Sequence, residues 1–157
     1  MVLDCGGGTV DITIHKLTCN PDEKFLCEEL LPSSGGCEWG SKYVDLHFEH
    51  FVADFFGEEL FQVYKSNAMA RLDILKHFEM LKRKFNPGVE ERSRLQLSYL
   101  GEELSAGKLG ELVKDFNARQ PDPSTHVKQR GASSIDLPGA LMVSFFKPLF
   151  DQIKAKV

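Results

Sequence analysis

The 157 residues are 42% hydrophobic and 27% charged with a formal net charge of −4, a balance that can bury one core or two small lobes and gives no electrostatic pull towards DNA or RNA. No apolar run approaches the roughly 20 residues that cross a bilayer, and Met1 leads into Val2-Leu3-Asp4 with no basic-then-apolar leader. The expectation is therefore a cytoplasmic chain with neither nucleic acid nor membrane as partner.

Val2–Cys5 and Val10–His15 are short β-branched segments joined by Gly6-Gly7-Gly8-Thr9, the pattern of a hairpin with a glycine-built turn. A third strand is expected at 24–31, after the Asn20-Pro21-Asp22 turn, so the chain opens as a β-meander. Cys5, Cys19, Cys27 and Cys37 lack CxxC spacing and zinc-like interleaving with His, and read as reduced thiols, with a Cys19–Cys27 disulfide left open should those segments pair as strands. From Gly40 onwards Val44, Phe48, Phe51, Val52 and Phe55 recur at helical steps. Gly57 ends that helix, and a short one is expected over 58–64. Another should cover 68–85 with Leu72, Leu75, Phe78, Leu81 and Phe85 on one face, stopped by Asn86-Pro87-Gly88. Period-two alternation predicts a strand over 94–100, Leu109–Phe116 reads as a helix, and 120–134 as a mobile loop. The last helix starts at Pro138, carries Leu141, Phe145, Leu149 and Ile153 as one stripe, and is interrupted by Pro148. His47 and His50 are three apart, but spacing places no third metal ligand beside them, and polar-face histidines are the simpler reading.

Three successive glycines leave backbone N–H groups unobstructed by Cβ atoms, so a phosphate can be held by several of them at once, and Thr9 adds a hydroxyl. Asp4 and Asp11 flank the loop, one per strand. Both carboxylates then lie where they can hold a hydrated Mg2+ or orient an attacking water, which makes them the candidate catalytic pair as well as the candidate metal ligands. A glycine triplet alone is as well explained by a flexible turn with two solvated Asp residues at the strand ends; the whole string Asp-x-Gly-Gly-Gly-Thr-x-Asp between strands favours phosphate.

The string Asp4-Cys5-Gly6-Gly7-Gly8-Thr9-Val10-Asp11 resembles the second phosphate motif of the heat shock 70 kDa protein family, within the actin-like ATPase superfamily. Residues 34–45 resemble that family's glycine-containing turn into a helix, where Gly40 brings backbone near the terminal phosphate; Ser41 stands in place of the usual second glycine, and Trp39 reads as a packing residue. Glu79-x-x-Lys82-Arg83-x-x-Asn86 resembles the segment that grips adenosine, with Lys82 and Arg83 flanking base and ribose and Asn86 where Ser is usual. Spacing of three and four puts the four on one helical side; apart from the resemblance, the same row reads as a solvated charged face. Residues 135–157, with Phe145-Phe146-Lys147-Pro148, resemble the helix closing the second half of lobe two, and the combination is most similar to the divergent member-12 branch.

The resemblance implies an α+β fold, a partial actin-like or ribonuclease-H-like ATPase lobe: a phosphate-binding meander over 1–40, then a mainly helical adenosine-side subdomain with a small sheet over 41–157. It implies ATP or ADP and Mg2+ as cofactors, and a nucleotide-exchange factor or the missing lobe of the same domain as partner. The family's first phosphate loop, lobe-one catalytic Lys and final adenosine loop are not found, so the expectation is a fragment or truncated product with negligible turnover of its own. The rival expectation is a non-catalytic protein-interaction module derived from that domain, which the departures at Ser41 and Asn86 favour. A sugar kinase shares the phosphate loop but does not predict the Glu79/Lys82/Arg83 row.

Overall fold

The structure, a computed structural model, describes residues 1–19, 25–31, 39–88 and 92–156. Among these the fold is α+β, with four α-helices and two three-stranded antiparallel sheets. The backbone divides into two units, Met1–Val44 with Leu149–Val157, and Asp45–Pro148. No helix among the described residues is long and apolar enough to cross a membrane.

The first unit holds the expected meander. Strands β1 (Val2–Cys5), β2 (Val10–Cys19) and β3 (Phe25–Leu31) form a sheet in that order. β1 and β2 pair with Val2 opposite Thr13 and Cys5 opposite Val10, so the Gly6–Thr9 segment closes the hairpin and Val10 is buried behind it. The β2–β3 ladder shifts register between Ile14 and His15, a bulge that re-aims the strand. That register sets Cys27 opposite Leu17 and Cys19 opposite Phe25, and Cys5, Cys19 and Cys27 are exposed thiols. The Asn20-Pro21-Asp22 turn, Ser34–Glu38 and Cys37 lie outside the described residues.

The second unit is built on aromatic side chains. Helix α1 (Lys42–Ser66) breaks at Gly57, whose φ of 69° is a left-handed conformation that L side chains enter only with strain, and this matches the expected end of one helix and start of another. Helix α2 (Ala68–Lys84) starts at Asn67, whose Oδ1 accepts the Ala70 N–H at 3.0 Å. Phe48 of α1 stacks face to face on Phe78 of α2 at a centroid separation of 3.7 Å. Helix α4 (Gly139–Lys154) sends Phe145 edge-on against both, and Phe116 of α3 (Ala106–Arg119) meets Phe51 at 5.4 Å. Edge-to-face and offset contacts of this kind contribute beyond the area they bury. Arg119 adds a polar tie by donating from Nη2 to the Asp54 carbonyl at 2.7 Å.

Four expectations need correction here. The buried stripe of α2 is Ala70, Ile74 and Phe78, a strict four-residue repeat, whereas Leu72 is 48% exposed; the leucine-based face was chosen by side-chain size, and Ala70 fits where the helices come close. Strand β4 (Ser93–Gln96) stops short of the expected 100, because 98–104 turns into a 3-10 segment broken at Gly101; the alternation survives as buried Leu95 and Leu97. The stretch from 120 to 134 is ordered, with a 3-10 turn at Pro123–Thr125 and β5 (Lys128–Gln129), followed by β6 (Ser134–Leu137). These strands complete a sheet in the order β4-β6-β5. Two short strands with few apolar residues carry no period for a sequence reading to find. Helix α4 runs on through Pro148.

Asp136 of β6 is 4% exposed, and its two oxygens accept from Arg130 Nε at 2.7 Å and Arg94 Nε at 3.4 Å. Burial acts to raise its pKa, but the hydrogen bonds and charges of the two guanidiniums outweigh it and hold the carboxyl below the ordinary Asp value. A depressed carboxyl contributes stability that is complete above its unfolded value and is lost as pH falls through the folded one. Wild type should therefore lose stability in acid below about pH 4, and Asp136→Asn should flatten that limb while costing about 1–3 kcal/mol at neutral pH, as read by urea unfolding across pH. The same assay should show Phe78→Ala costing about 3–5 kcal/mol and Leu72→Ala staying within about 0.5 kcal/mol of wild type.

Candidate functional site

The glycine loop is fixed by the turn that leads into α1. Gly40 donates its N–H to the Gly8 carbonyl at 3.2 Å, Ser41 to the Gly6 carbonyl at 3.0 Å and Lys42 to the Gly7 carbonyl at 3.0 Å. The approach leaves no room for a side chain, since a Cβ on Gly40 would lie 2.5 Å from Gly7 C, Gly7 O and Gly8 C. The loop also closes on itself through the Gly6 N–H, which donates to the Thr9 carbonyl at 2.9 Å.

This carbonyl pattern decides which way the amides face. Among the described residues there is no cis peptide bond, and in a trans peptide the N–H points opposite to the C=O of the same plane. With the carbonyls of Gly6, Gly7 and Gly8 turned towards the first residues of α1, the N–H groups of Gly7, Gly8 and Thr9 point the other way. None of these three amides donates to another described residue, and no described atom lies within 4 Å of the positions where Gly7 and Gly8 would carry Cβ atoms. Three successive exposed amides turned the same way form a concavity of positive partial charge, suited to an anion.

Asp4 and Asp11 are directly opposite in the β1–β2 register, so both carboxylates stand on the same face of the hairpin beside the loop. Thr9 Oγ1 reaches Asp11 Oδ2 at 3.5 Å, a long contact that leaves the carboxylate accessible. Like charges directly opposite on a sheet are destabilising, and a cation between them relieves that cost. Among the described residues no group of three or more His, Cys, Asp or Glu converges as a metal cage. A two-carboxylate site suits a hydrated ion that keeps most of its water, as Mg2+ does.

The second candidate row lies in the other unit. Lys82 is the most enclosed member, with its side chain 9% exposed, and it bridges Asp45 of α1 at 2.7 Å and Glu79 at 2.5 Å. Glu79 also accepts from Arg83 Nε at 2.7 Å. The Lys82 hydrogen bond is the main reason the Glu79 carboxyl sits below its ordinary range. For Lys82 burial opposes the charge, but hydrogen bonds to Asp45 and Glu79 carry its pKa above the ordinary lysine value. Asn86 departs from the expected row: α2 ends at Lys84, Phe85 is extended, and Asn86 Oδ1 accepts the Gly88 N–H at 3.1 Å, which makes a local turn. Glu79, Lys82 and Arg83 are thus brought together, with Asp45 as a member that helix spacing within α2 had no means to supply.

An open groove of about 480 Å³ lies beside this row, lined by Asp73, Lys76, His77, Met80, Gln96 and Ser98. His77 Nδ1 accepts the backbone N–H of Gln96 at 3.0 Å, and burial lowers its pKa, so the neutral Nε2–H tautomer ties α2 to β4. No sequence pattern singled out His77, because its partner is a backbone amide 19 residues away.

No family model matches the chain, and no solved structure matches it. Among curated proteins it is 39% identical over 88 residues to human heat shock 70 kDa protein 12B, covering 55% of this chain and 12% of that protein. It is 29% identical over 154 residues to mouse heat shock 70 kDa protein 12A, covering 98% of this chain and 22% of that protein, and the human 12A protein gives the same figures. These distant homologues support a relation to the heat shock 70 kDa family. The chain spans about a fifth of the length of the 12A proteins it matches.

The glycine packing has a direct test. Gly40→Ala should force the loop and the first turn of α1 apart, at a cost of about 1–3 kcal/mol. Gly7→Ala, whose added Cβ meets open space, should stay within about 1 kcal/mol of wild type. Thermal unfolding of the two variants separates them.

Proposed function

We propose that this chain is an ATP- or ADP-binding part of a heat-shock-70-like chaperone ATPase domain with the actin-like, ribonuclease-H-like architecture. The phosphates are held by Gly6, Gly7, Gly8 and Thr9, with Gly40 keeping the loop in place. Mg2+ is held through water by Asp4 and Asp11, and Glu79, Lys82, Arg83 and Asn86 serve the adenosine. The observation that carries the reading is the carbonyl-inward, amide-outward loop: three N–H groups are left facing solvent beside a carboxylate pair, an arrangement that a simple hairpin turn does not need. Homology to the 12A and 12B proteins over most of the chain supports it. Mg2+ bound there supplies positive charge for the β- and γ-phosphates and a set of oriented waters. The residues themselves would bind and position: the loop amides would neutralise phosphate oxygens, and Asp11, with Thr9 Oγ1 within 3.5 Å, would orient a water beside the phosphates.

A second reading, a non-catalytic interaction module that meets a partner such as a nucleotide-exchange factor, is favoured by one observation. Lys82 Nζ is engaged within the protein by Asp45 and Glu79, and Asn86 Oδ1 by the Gly88 N–H.

Calorimetric titration with Mg-ADP separates the two. The nucleotide reading expects saturable binding, weakened at least about tenfold by Lys82→Ala/Arg83→Ala. It also expects Asp11→Asn to weaken binding in Mg2+ and to have little effect in EDTA, since the carboxylate acts through the ion. No binding by a chain with a cooperative unfolding transition would favour the interaction module.

A further inference from the structure

The outer face of the β4-β6-β5 sheet gathers positive charge in a chain whose net charge is negative. Register puts Arg94 of β4 and Lys128 of β5 directly opposite Asp136 of β6, and directly opposed residues share a face. Arg130 reaches the same carboxylate, and exposed Arg92 immediately precedes β4, two residues before Arg94. Two guanidiniums therefore meet one carboxylate, with exposed Lys128 at the neighbouring cross-strand position, while the opposite face sends Leu95, Ile135 and Leu137 into the core at 1% exposure or less.

The manner in which Asp136 is satisfied matters more than the count. Each oxygen takes one Nε, Oδ1 from Arg94 and Oδ2 from Arg130. Neither guanidinium spends its Nη groups on another described residue, and the two side chains are 59% and 53% exposed. A single bidentate arginine would have neutralised Asp136. Two arginines held at Nε by a nearly buried carboxylate are instead pre-oriented, with their outer donors aimed at solvent. Fixing a long side chain in advance removes much of the entropy cost of binding through it.

We propose that this face docks an acidic protein segment, with Arg94 and Arg130 as bidentate anchors for its carboxylates and Lys128 and Arg92 as flanking charges. Neighbouring strands are about 4.8 Å apart, so Arg94 and Lys128, either side of β6, stand roughly 10 Å apart. Alternate residues of an extended peptide present side chains about 7 Å apart on one side, so two or three Glu or Asp residues span the patch. Nucleic acid is the poorer match, because a long polyphosphate meets the rest of a chain that is −4 overall.

A fluorescein-labelled alternating Glu-Ser octapeptide, titrated against the full chain and followed by anisotropy, tests this. Saturable binding is expected, weakening as salt rises from about 50 to 200 mM. Arg94→Gln and Lys128→Gln should each weaken it at least about tenfold; Lys128→Gln leaves both arginine bonds to Asp136 in place and sets no like charge opposite that carboxylate, and an unchanged unfolding midpoint separates its loss of binding from unfolding of the sheet. Arg94→Lys, which keeps the charge and loses the fork, should fall between wild type and Arg94→Gln. The proposal is overturned if the octapeptide fails to saturate, if Lys128→Gln binds like wild type, or if a single-stranded oligonucleotide of equal charge binds more tightly.

Discussion

The approach of Gly40 to Gly7 and Gly8 is the contact on which the first unit's chemistry depends. Three backbone hydrogen bonds draw the loop carbonyls onto the residues entering α1, and they form only because position 40 has no Cβ to meet the Gly7 carbonyl carbon and oxygen. Peptide planarity then turns the amides of Gly7, Gly8 and Thr9 outward. The anion-facing surface is thus a consequence of packing on the other side of the loop. It follows that the glycines have unequal roles: Gly40 is required by space, while Gly7 and Gly8 leave their outer side open for a ligand's close approach. Ser41 is compatible with this arrangement because its contribution to the loop is its backbone N–H.

The second unit solves a different problem, enclosing one charged side chain, Lys82, beside a stacked aromatic pair. Phe48 and Phe78 hold α1 and α2 together, and Asp45 lies three residues before Phe48, close to one turn of α1 away. Lys82, one turn beyond Phe78 on α2, lies over the same crossing and meets Asp45 there. A lysine so enclosed needs a partner to stay charged, and it has two in Asp45 and Glu79. That engagement pre-orders the lysine stem and the Glu79 carboxylate, and it also means that a ligand using the ammonium must share it or displace one carboxylate. Arg83, with 77% of its side chain exposed and Glu79 held only at its Nε, is the more available of the two cations.

Features set by nearby residues were legible in the sequence. The hairpin around Gly6–Thr9, the break at Gly57, the helix over 109–116 and the Leu141/Phe145/Ile153 stripe all rest on strong local signals: glycine freedom, β-branching and helical repeat. The failures share a cause as well. The buried face of α2 runs through Ala70, which carries almost no hydrophobic signal yet is chosen by close helix approach. Lys128–Gln129 is too short to show a period, and it is a strand only because β6 is beside it. Asp45, the partner that decides the state of Lys82, is 37 residues away. The loop amides were anticipated as a chemical possibility; their outward direction required the three hydrogen bonds from Gly40, Ser41 and Lys42.

Asp136 and the Asp4/Asp11 pair show how one residue type serves opposite ends. Asp136 is nearly buried and met by two guanidiniums, so its charge is compensated inside the fold and it orders the cations around it. Asp4 and Asp11 face each other across a ladder with no described cation between them, a juxtaposition that costs stability in the isolated hairpin. Two carboxylates at one cross-strand position are poor structural chemistry and sound ligand chemistry. A sheet selected for stability alone would place a threonine or an opposite charge at one of them. On the proposed reading, a cation and an anion bound together would meet both the uncompensated pair and the outward amides beside it.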